Sequence, residues 1–403
     1  MEFTIARDLI APHVDRVIAV CKNERKGYDQ FKQIAIFAAE KDRLFLRTSN
    51  GYLTAIQEVK DEGGKISVIK TGQCAVDGSK LSRIIHAGGA GSLLRFKTDG
   101  TNALSREVIG EKRKVKIPQF AEKIGLDLVD VGKSKNFKIP QDVFIDSCKT
   151  VQPHIGSEDF KPHYHFLFIE FHQNNVMFIG GDGSRFVIVD NPGNWNSSVL
   201  KTDDKMGYII HRLQSLMLPT LFNDCSNIHI SFGQDAYKFT NDNGLTVTLE
   251  GIPRDFAKYV PYNVQASRLL ERKVSLQLDR NVMAGICADM DAIIDPAYEK
   301  SHNVIPVLVT ANKNEANISY ASEFTNSMEA TVSTSDFSTH NGDVDSFEDE
   351  YAMRYFLDLW RFKSSDIYEM NFLGEKDIVI CRFLDNGEVS RHLMFFVSTV
   401  DVD

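Results

Sequence analysis

Three times along the chain a short alternating strand runs directly into an amphipathic helix. Phe3-Thr-Ile-Ala-Arg-Asp-Leu-Ile leads into a face of Leu9, Ile10, Val14, Val17 and Ile18. Phe137-Lys-Ile-Pro-Gln-Asp-Val-Phe leads into Val143, Phe144, Ser147, Cys148 and Val151, and Val274-Ser-Leu-Gln-Leu-Asp into Val282, Met283, Ile286, Cys287 and Met290. Apolar positions two apart predict a strand buried on one face, and apolar positions three and four apart predict a helix with one buried stripe.

The likeness continues past these starts. Alternating strands broken by a polar turn are predicted at Phe37–Ile56, Phe166–Val189 and Val307–Val332, with Ser49-Asn50-Gly51 and Gly181-Asp182-Gly183 supplying the small, turn-forming residues that a tight reversal needs. A second helix follows at Asp77–His86, Gly207–Met217 and Glu350–Lys363, and strand pairs at Ser92–Val108, Asn227–Gly251 and Ile367–Val397 close each unit. Pro118–Asn136 and Ala257–Lys273 read as connectors, which divides the chain into domains at 1–125, 133–260 and 266–403. Ser333–Asp349 is polar and acidic and reads as a solvated loop. The fold class is α+β, helices on one face of antiparallel sheets. Such units leave free sheet edges, so neighbours are expected to pair edge to edge, and pairing that closes on itself makes a ring.

With 403 residues, 43% of them hydrophobic, the chain can bury substantial cores. Its formal charge of −9 excludes a uniformly basic nucleic-acid coat. The charge is unevenly spread: residues 266–403 hold 12 Lys and Arg against 24 Asp and Glu, whereas residues 1–265 hold 34 against 31. No apolar run reaches the ~18 residues that span a bilayer, and the charged start MEFTIARD does not read as a secretory signal. Six scattered cysteines without a C-x-x-C pair suit free thiols in a reducing, cytoplasmic setting.

Candidate chemistry is sparse. His163-x-His165, with His172 nearby, puts two imidazoles on one side of a strand, but no Cys or carboxylate pattern completes a metal site. Gly88-Gly-Ala-Gly91 follows a helix and lacks a Rossmann setting, and no Walker-type Lys follows a Gly-rich loop. Gly181-Asp-Gly-Ser184 lacks the nucleophile-elbow pattern, and Asn196-Ser-Ser and Asn317-Ile-Ser match glycosylation acceptors that mean little without secretion. No cofactor and no enzymatic activity are expected. Cationic residues do recur on the polar sides of the second helices: Lys80, Arg83 and His86 opposite Leu81, Ile84 and Ile85; Arg212, beside His211, opposite Ile209, Leu213 and Leu216; Arg354, Arg361 and Lys363 opposite Phe356, Leu357 and Trp360. Lys22, Arg25 and Lys26 follow the first helix, and Lys149 lies on the polar side of its middle-unit counterpart.

Three motifs resemble one family. Tyr351-Ala-Met-Arg-Tyr355-Phe-Leu-Asp358-Leu-Trp360 is similar to the aromatic-x-x-x-Tyr-x-Leu-Asp helix start, Gly180-Gly-Asp-Gly-Ser-Arg185-Phe186 to the Thr-Asp-Gly-x-Arg-Leu turn, and Ile252-Pro-Arg-Asp-Phe256 to the Phe-Pro-Asp-Tyr of bacterial DNA polymerase III β sliding clamps, the polymerase processivity factors. Leu393-Met-Phe-Phe-Val397 with the tail Ser398–Asp403 departs from that family's Met-Pro-Met-Arg-Leu-like ending. The resemblance implies three clamp domains, a head-to-tail homodimer ring around double-stranded DNA, and no catalysis. It implies that Lys22, Arg25, Lys26, Lys80, Arg83, Lys149, Arg212, Arg354 and Arg361 face DNA. It also implies a groove for a peptide of the polymerase or clamp loader, formed by Tyr164, Gly181, Gly183, Arg185, Phe186, Pro253, Lys258, Tyr259, Leu393, Phe395, Phe396 and Val397. Two other readings remain open on the residues alone: a ring- or shell-forming assembly protein, and an α+β enzyme whose site is not recognised.

Overall fold

The computed structural model describes residues 1–22, 32–61, 63–99, 102–120, 130–156, 164–172, 174–182, 185–193, 206–252, 272–293, 306–321, 327–334, 336–340, 345–360, 366–372, 379–385 and 388–397, with the backbone alone for Lys22, Asp99, Met206, Ala321, Ala352, Met353, Arg354, Tyr355, Asp358, Phe383, Asp385 and the 388–397 strand. Two compact units make up the chain. The first contains Met1–Lys149 and Tyr208–Arg254, the second Thr150–Asn194 and Asp255–Asp403, with Trp195–Asp204 clustering with the first and Lys205–Gly207 with the second.

In the first unit a five-stranded sheet runs in the order Ile66–Lys70, Glu2–Ala6, Leu93–Asp99, Ala103–Val108, Lys114–Pro118. An eight-stranded sheet runs Lys135–Pro140, Asn227–Phe232, Ala236–Thr240, Leu245–Glu250, Leu53–Val59, Arg43–Ser49, Gln33–Ala39, Gly72–Asp77. The helices Arg7–Lys22 and Gly78–His86 bury Ile10, Val14, Val17, Leu81 and Ile85 against Phe3, Ile5, Phe96, Ile34 and Leu46. Each such side chain removed from water contributes about 1.5–3 kcal/mol. The helix Gly78–His86 is started by Asp77, whose carboxylate accepts from the Lys80 N–H at 2.8 Å.

Edge pairing appears as expected. Leu245–Glu250, which closes the second repeat, pairs antiparallel with Leu53–Val59 of the first, with Val247 opposite Ala55. In the second unit Glu388–Val397 pairs in the same way with Arg185–Pro192, with Phe395 opposite Val187. The strands of that unit run Phe166–Phe171, Asn175–Gly181, Arg185–Pro192, Glu388–Val397, Val379–Asp385, Ile367–Phe372, Val274–Asp279, Asp336–Thr339. A four-stranded sheet runs Ser327–Ser333, Glu315–Ala321, Pro306–Asn312, Ser346–Ala352.

All three strand-to-helix starts are present, with helices Arg7–Lys22, Gln141–Val151 and Arg280–Ile293. Three expectations need correction. The helix expected at Gly207–Met217 is instead the strand Met206–His211, favoured by Ile209-Ile210, followed by two short turns, Arg212–Ser215 and Leu218–Leu221. Pro219, without an N–H, is best accommodated in the first turn of a helix, and it stands at the start of the second of these. Glu350–Ala352 end a strand, and the helix there is Met353–Trp360. The presumed loop Ser333–Asp349 contains the strand Asp336–Thr339 and the start of Ser346–Ala352. Its acidic residues hide a period of two, in which Phe347 packs against Phe372 with tilted rings, centroids 3.9 Å apart. The range 121–129 inside the first connector and the range 253–271, which includes most of the second, lie outside the described residues.

Candidate functional site

Four of the expected DNA-facing cations have described side chains, all in the first unit. Lys80 and Arg83 are exposed on the outer side of Gly78–His86, and Lys149 is exposed on Gln141–Val151, beside the exposed acids Asp142 and Asp146. Arg212 is half-buried, and its Nε is a buried donor without a hydrogen-bond partner. The apolar side drawn opposite it from the sequence is wrong: Leu213 and Leu216 are 37% and 40% exposed, because the helix is only one turn long and its neighbours cannot cover both faces. Val282, expected to be buried on the third repeat's first helix, is likewise exposed. Arg25, Lys26 and Arg361 lie outside the described residues; Lys22 and Arg354 fall on helices, with backbone alone described.

His86 does not extend the cationic face. Arg7 Nη2 donates to His86 Nδ1 at 2.9 Å, and an arginine has no acceptor, so the ring proton sits on Nε2 and is donated to Asp15 at 2.9 Å. The imidazole ties the helix Arg7–Lys22 to Gly78–His86, where Ser82 Oγ also donates to Asp15 at 3.1 Å.

The other candidate set gathers at one sheet junction of the second unit. Gly181 ends the strand Asn175–Gly181 opposite Phe186, and Phe186 is in turn opposite Phe396. Tyr164 and Phe186, both half-buried, meet edge to face with ring centroids 6.1 Å apart. In this register Phe396 lies in the row of Phe186, whereas Phe395 lies in the row of Val187, which is fully buried. Leu393 and Val397 pair with Val189 and Arg185.

Close approach explains the glycines here. A Cβ on Gly180 would come within 2.6 Å of Val151 Cγ1, and one on Gly181 within 2.5 Å of the Arg185 carbonyl oxygen. The latter is backbone and cannot move aside like a side chain. The Gly156 N–H donates to the carbonyls of both Tyr164 and Gly181 at 3.1 Å, which closes the bend against the turn.

Arg185 is only 2% exposed. Its Nε donates to Asp182 Oδ2 at 3.0 Å, its backbone N–H to Asp182 Oδ1 at 3.1 Å, and its Nη2 to the Pro153 carbonyl at 3.3 Å. This arginine therefore braces the turn from inside. Burial, and then the nearby Arg185 charge, hold the His154 imidazole well below the usual histidine range. Gly183, Pro253, Lys258 and Tyr259 lie outside the described residues.

Sequence reading missed Asp182 as the partner of Arg185, the buried Arg16, and the buried Arg106. Arg16 Nη1 donates to Gln57 Oε1 at 2.9 Å and Nη2 to Asp224, while Gln57 Nε2 donates to the Asn243 carbonyl at 2.8 Å. This network links the first repeat to the second within the first unit. Its signal in the sequence was a single cation between Val14 and Val17 on the buried stripe. Of the imidazoles weighed as metal ligands, His163 lies outside the described residues and His172 Nε2 is 3.5 Å from Glu170. Among the described residues no three His, Cys, Asp or Glu converge on a metal position, and no helix is long and apolar enough to cross a membrane.

No protein-family model and no curated protein matches the chain. Solved structures match it over its whole length. The DNA polymerase sliding clamp of Bacillus subtilis aligns with a TM-score of 0.84 at 13% identity, covering 100% of each chain. The Pseudomonas aeruginosa sliding clamp aligns at 0.82 and 15% identity over 99% of each, and the Thermotoga maritima DNA polymerase III β subunit at 0.78 and 10% over 100% of each. At such identities the likeness establishes the fold, which is that of the sliding clamps.

Proposed function

We propose that the chain is a non-catalytic DNA sliding clamp: two copies form a ring of six repeats around duplex DNA and tether a replicative polymerase to it. Repeat boundaries at 1–125, 133–260 and 266–403 belong to this reading. The observation that carries it is the sheet-edge junction used twice in one chain, at Val247–Ala55 and Phe395–Val187, in a fold shared end to end with sliding clamps. A chain that joins its repeats in this way leaves one free edge of each kind, which a second copy can fill.

Sliding requires attraction to phosphate that is weak and blind to sequence, since strong base contacts would arrest the ring. Exposed Lys80, Arg83 and Lys149 supply isolated positive charges of that kind, while the acidic excess of the third repeat repels DNA from other surfaces. Lys22, Arg25, Lys26, Arg212, Arg354 and Arg361 are proposed to join them. The junction of Tyr164, Gly181, Phe186 and the 393–397 strand is the proposed peptide site for polymerase or loader, completed by Gly183, Pro253, Lys258 and Tyr259. There Arg185 has a bracing role, and the aromatic rings offer anchoring surface.

The test is retention on DNA. The protein, loaded by its cognate loader or by self-assembly, should stay on closed circular DNA and run off the same DNA once linearised. Equal loss from both forms would refute topological binding. Phe396→Ala, in the row of half-buried Phe186 and not in that of buried Val187, should abolish polymerase stimulation while circular retention persists; undiminished stimulation would refute the groove.

A further inference from the structure

We propose that the chain carries its own competitor for the peptide site: the segment Ser398–Asp403, which follows the last strand, turns back over the Tyr164–Phe186 surface of the same copy and weakens the binding of other peptides there. The inference rests on the peptide site proposed above and adds to it a regulation of that site.

The surface is built on backbone. The Phe186 ring lies across Gly181, where a Cβ would collide with Phe186 Cδ1. The same ring meets that of Tyr164 edge to face, with centroids 6.1 Å apart. The Gly156 N–H, donating to the carbonyls of Tyr164 and Gly181 at 3.1 Å, holds the two rings in that relation. Both side chains are half-buried, whereas Val187 and Ile188 beside them are buried, so aromatic surface at this junction stays open to water. Rings fixed in this way offer a large apolar area to an anchor without having to be ordered first.

Register delivers the segment to this place. Phe396 is opposite Phe186 and Val397 opposite Arg185, the residue whose carbonyl accepts from the Asp182 N–H to close the turn. The chain after Val397 therefore starts at the turn end of the junction, two positions beyond the row of Phe186. Six residues span up to ~20 Å when extended, several times the distance between the two rings. A reversal at Ser398-Thr399 is enough to bring the rest of the segment over them.

The sequence of the segment fits the surface. Val400-Asp401-Val402-Asp403 alternates apolar and acidic residues. In an extended segment neighbouring side chains point to opposite sides, and every second residue repeats at about 6.6 Å. That repeat matches the 6.1 Å between the ring centroids, so Val400 and Val402 can each cover one ring while Asp401 and Asp403 remain in water.

Two valines make a weak ligand, and the tether compensates. A short link supplies an effective concentration on the order of 1 mM, so a segment whose free-peptide Kd is ~0.3 mM would hold the site about three quarters of the time and weaken a competitor about fourfold. A partner with more anchors displaces it, and a chance peptide with fewer does not. The segment thus sharpens the choice of partner.

The test compares the full chain, the chain ending at Val397, and the full-length variant Val400→Lys with Val402→Lys, which keeps the length of the segment. The probe is the free peptide Ser-Thr-Val-Asp-Val-Asp carrying a fluorescent label. It should bind the shortened chain and the Lys variant equally, the full chain about fourfold more weakly, and the shortened chain with Tyr164→Ala not at all. Oxidation of Tyr164→Cys paired with Val400→Cys or Val402→Cys should give a disulfide within one chain, with Cys225, the one native thiol that is only half-buried, replaced by Ser. A peptide that does not bind the shortened chain, or that binds all three forms within about 1.5-fold, would overturn the proposal. Disulfides that join two chains instead would assign the segment to a second copy and overturn it as well. Retention of all three forms on circular DNA leaves the clamp reading standing in either case. Loss of all three from circular DNA would overturn the clamp reading, while the peptide titration still decides the role of the segment.

Discussion

Replacing Asp182 by Ala tests whether Arg185 braces the junction from inside. Asp182 accepts from Arg185 Nε at 3.0 Å and from its backbone N–H at 3.1 Å, and Arg185 is 2% exposed. Removing one partner of such a pair leaves a charge in a low-dielectric site, which costs about 3–5 kcal/mol. Because the Asp182 side chain is 20% exposed and water can approach part of the gap, the lower end applies, about 3 kcal/mol. For a folding unit of this size, 1 kcal/mol corresponds to roughly 2–4 °C, so the transition of the second unit should fall by about 6–12 °C in a calorimetric scan. Asp182→Asn keeps an acceptor and should lose about a third of that. In the double variant Asp182→Ala, Arg185→Met, no charge remains to be stranded, so it should be more stable than Asp182→Ala alone. A Tm within about 1 °C of wild type for Asp182→Ala, or a double variant less stable than both singles, would refute the internal brace.

Three further outcomes follow from the same structure. His154 has a folded-state pKa below its unfolded value of about 6.5, so its contribution is complete above that pH and declines as pH falls. The limiting slope of such a loss is about 1.4 kcal/mol per pH unit, and denaturant titrations of His154→Gln should lack this fall in stability on acidification. Arg106→Met replaces a buried guanidinium, whose Nε and Nη1 lack hydrogen-bond partners, with an apolar side chain and should raise the Tm of the first unit by a few degrees in calorimetry; a fall would show that the charge is compensated. Lys80→Ala with Arg83→Ala should leave Tm within about 1 °C but lower DNA affinity and reduce the slope of log affinity against log salt by up to about two in a binding titration. An unchanged slope would place both residues away from DNA.

The sequence made the repeat legible because each unit begins with the same physical device, an alternating strand that switches to a helical period within a few residues. That was enough to infer edge pairing, which the structure displays at Val247–Ala55 and Phe395–Val187. It failed where local signals conflict. Ile209-Ile210 before Pro219 produced a strand and two short turns in place of a helix, and acidic side chains masked the strands around Phe337 and Phe347. The candidate groove was half legible: the turn glycines and Phe186 could be named from their pattern, but not the reason for each.

What the sequence determined by itself is periodic: which faces are apolar, where the repeats begin, and that the acid lies in the last third. Those properties depend on residues a few positions apart. Tertiary structure alone decided which cations are spent inside the fold. Arg185 is held by Asp182, and Arg16 finds Asp224, 208 residues away. Arg106 is buried with Nε and Nη1 unpartnered, whereas Lys80 and Arg83 remain in water. The physical reason is that a charge is recruited or left free according to what the sheet and helix junctions bring within about 3 Å of it. Proximity of that kind is set by register and packing, which no local pattern encodes.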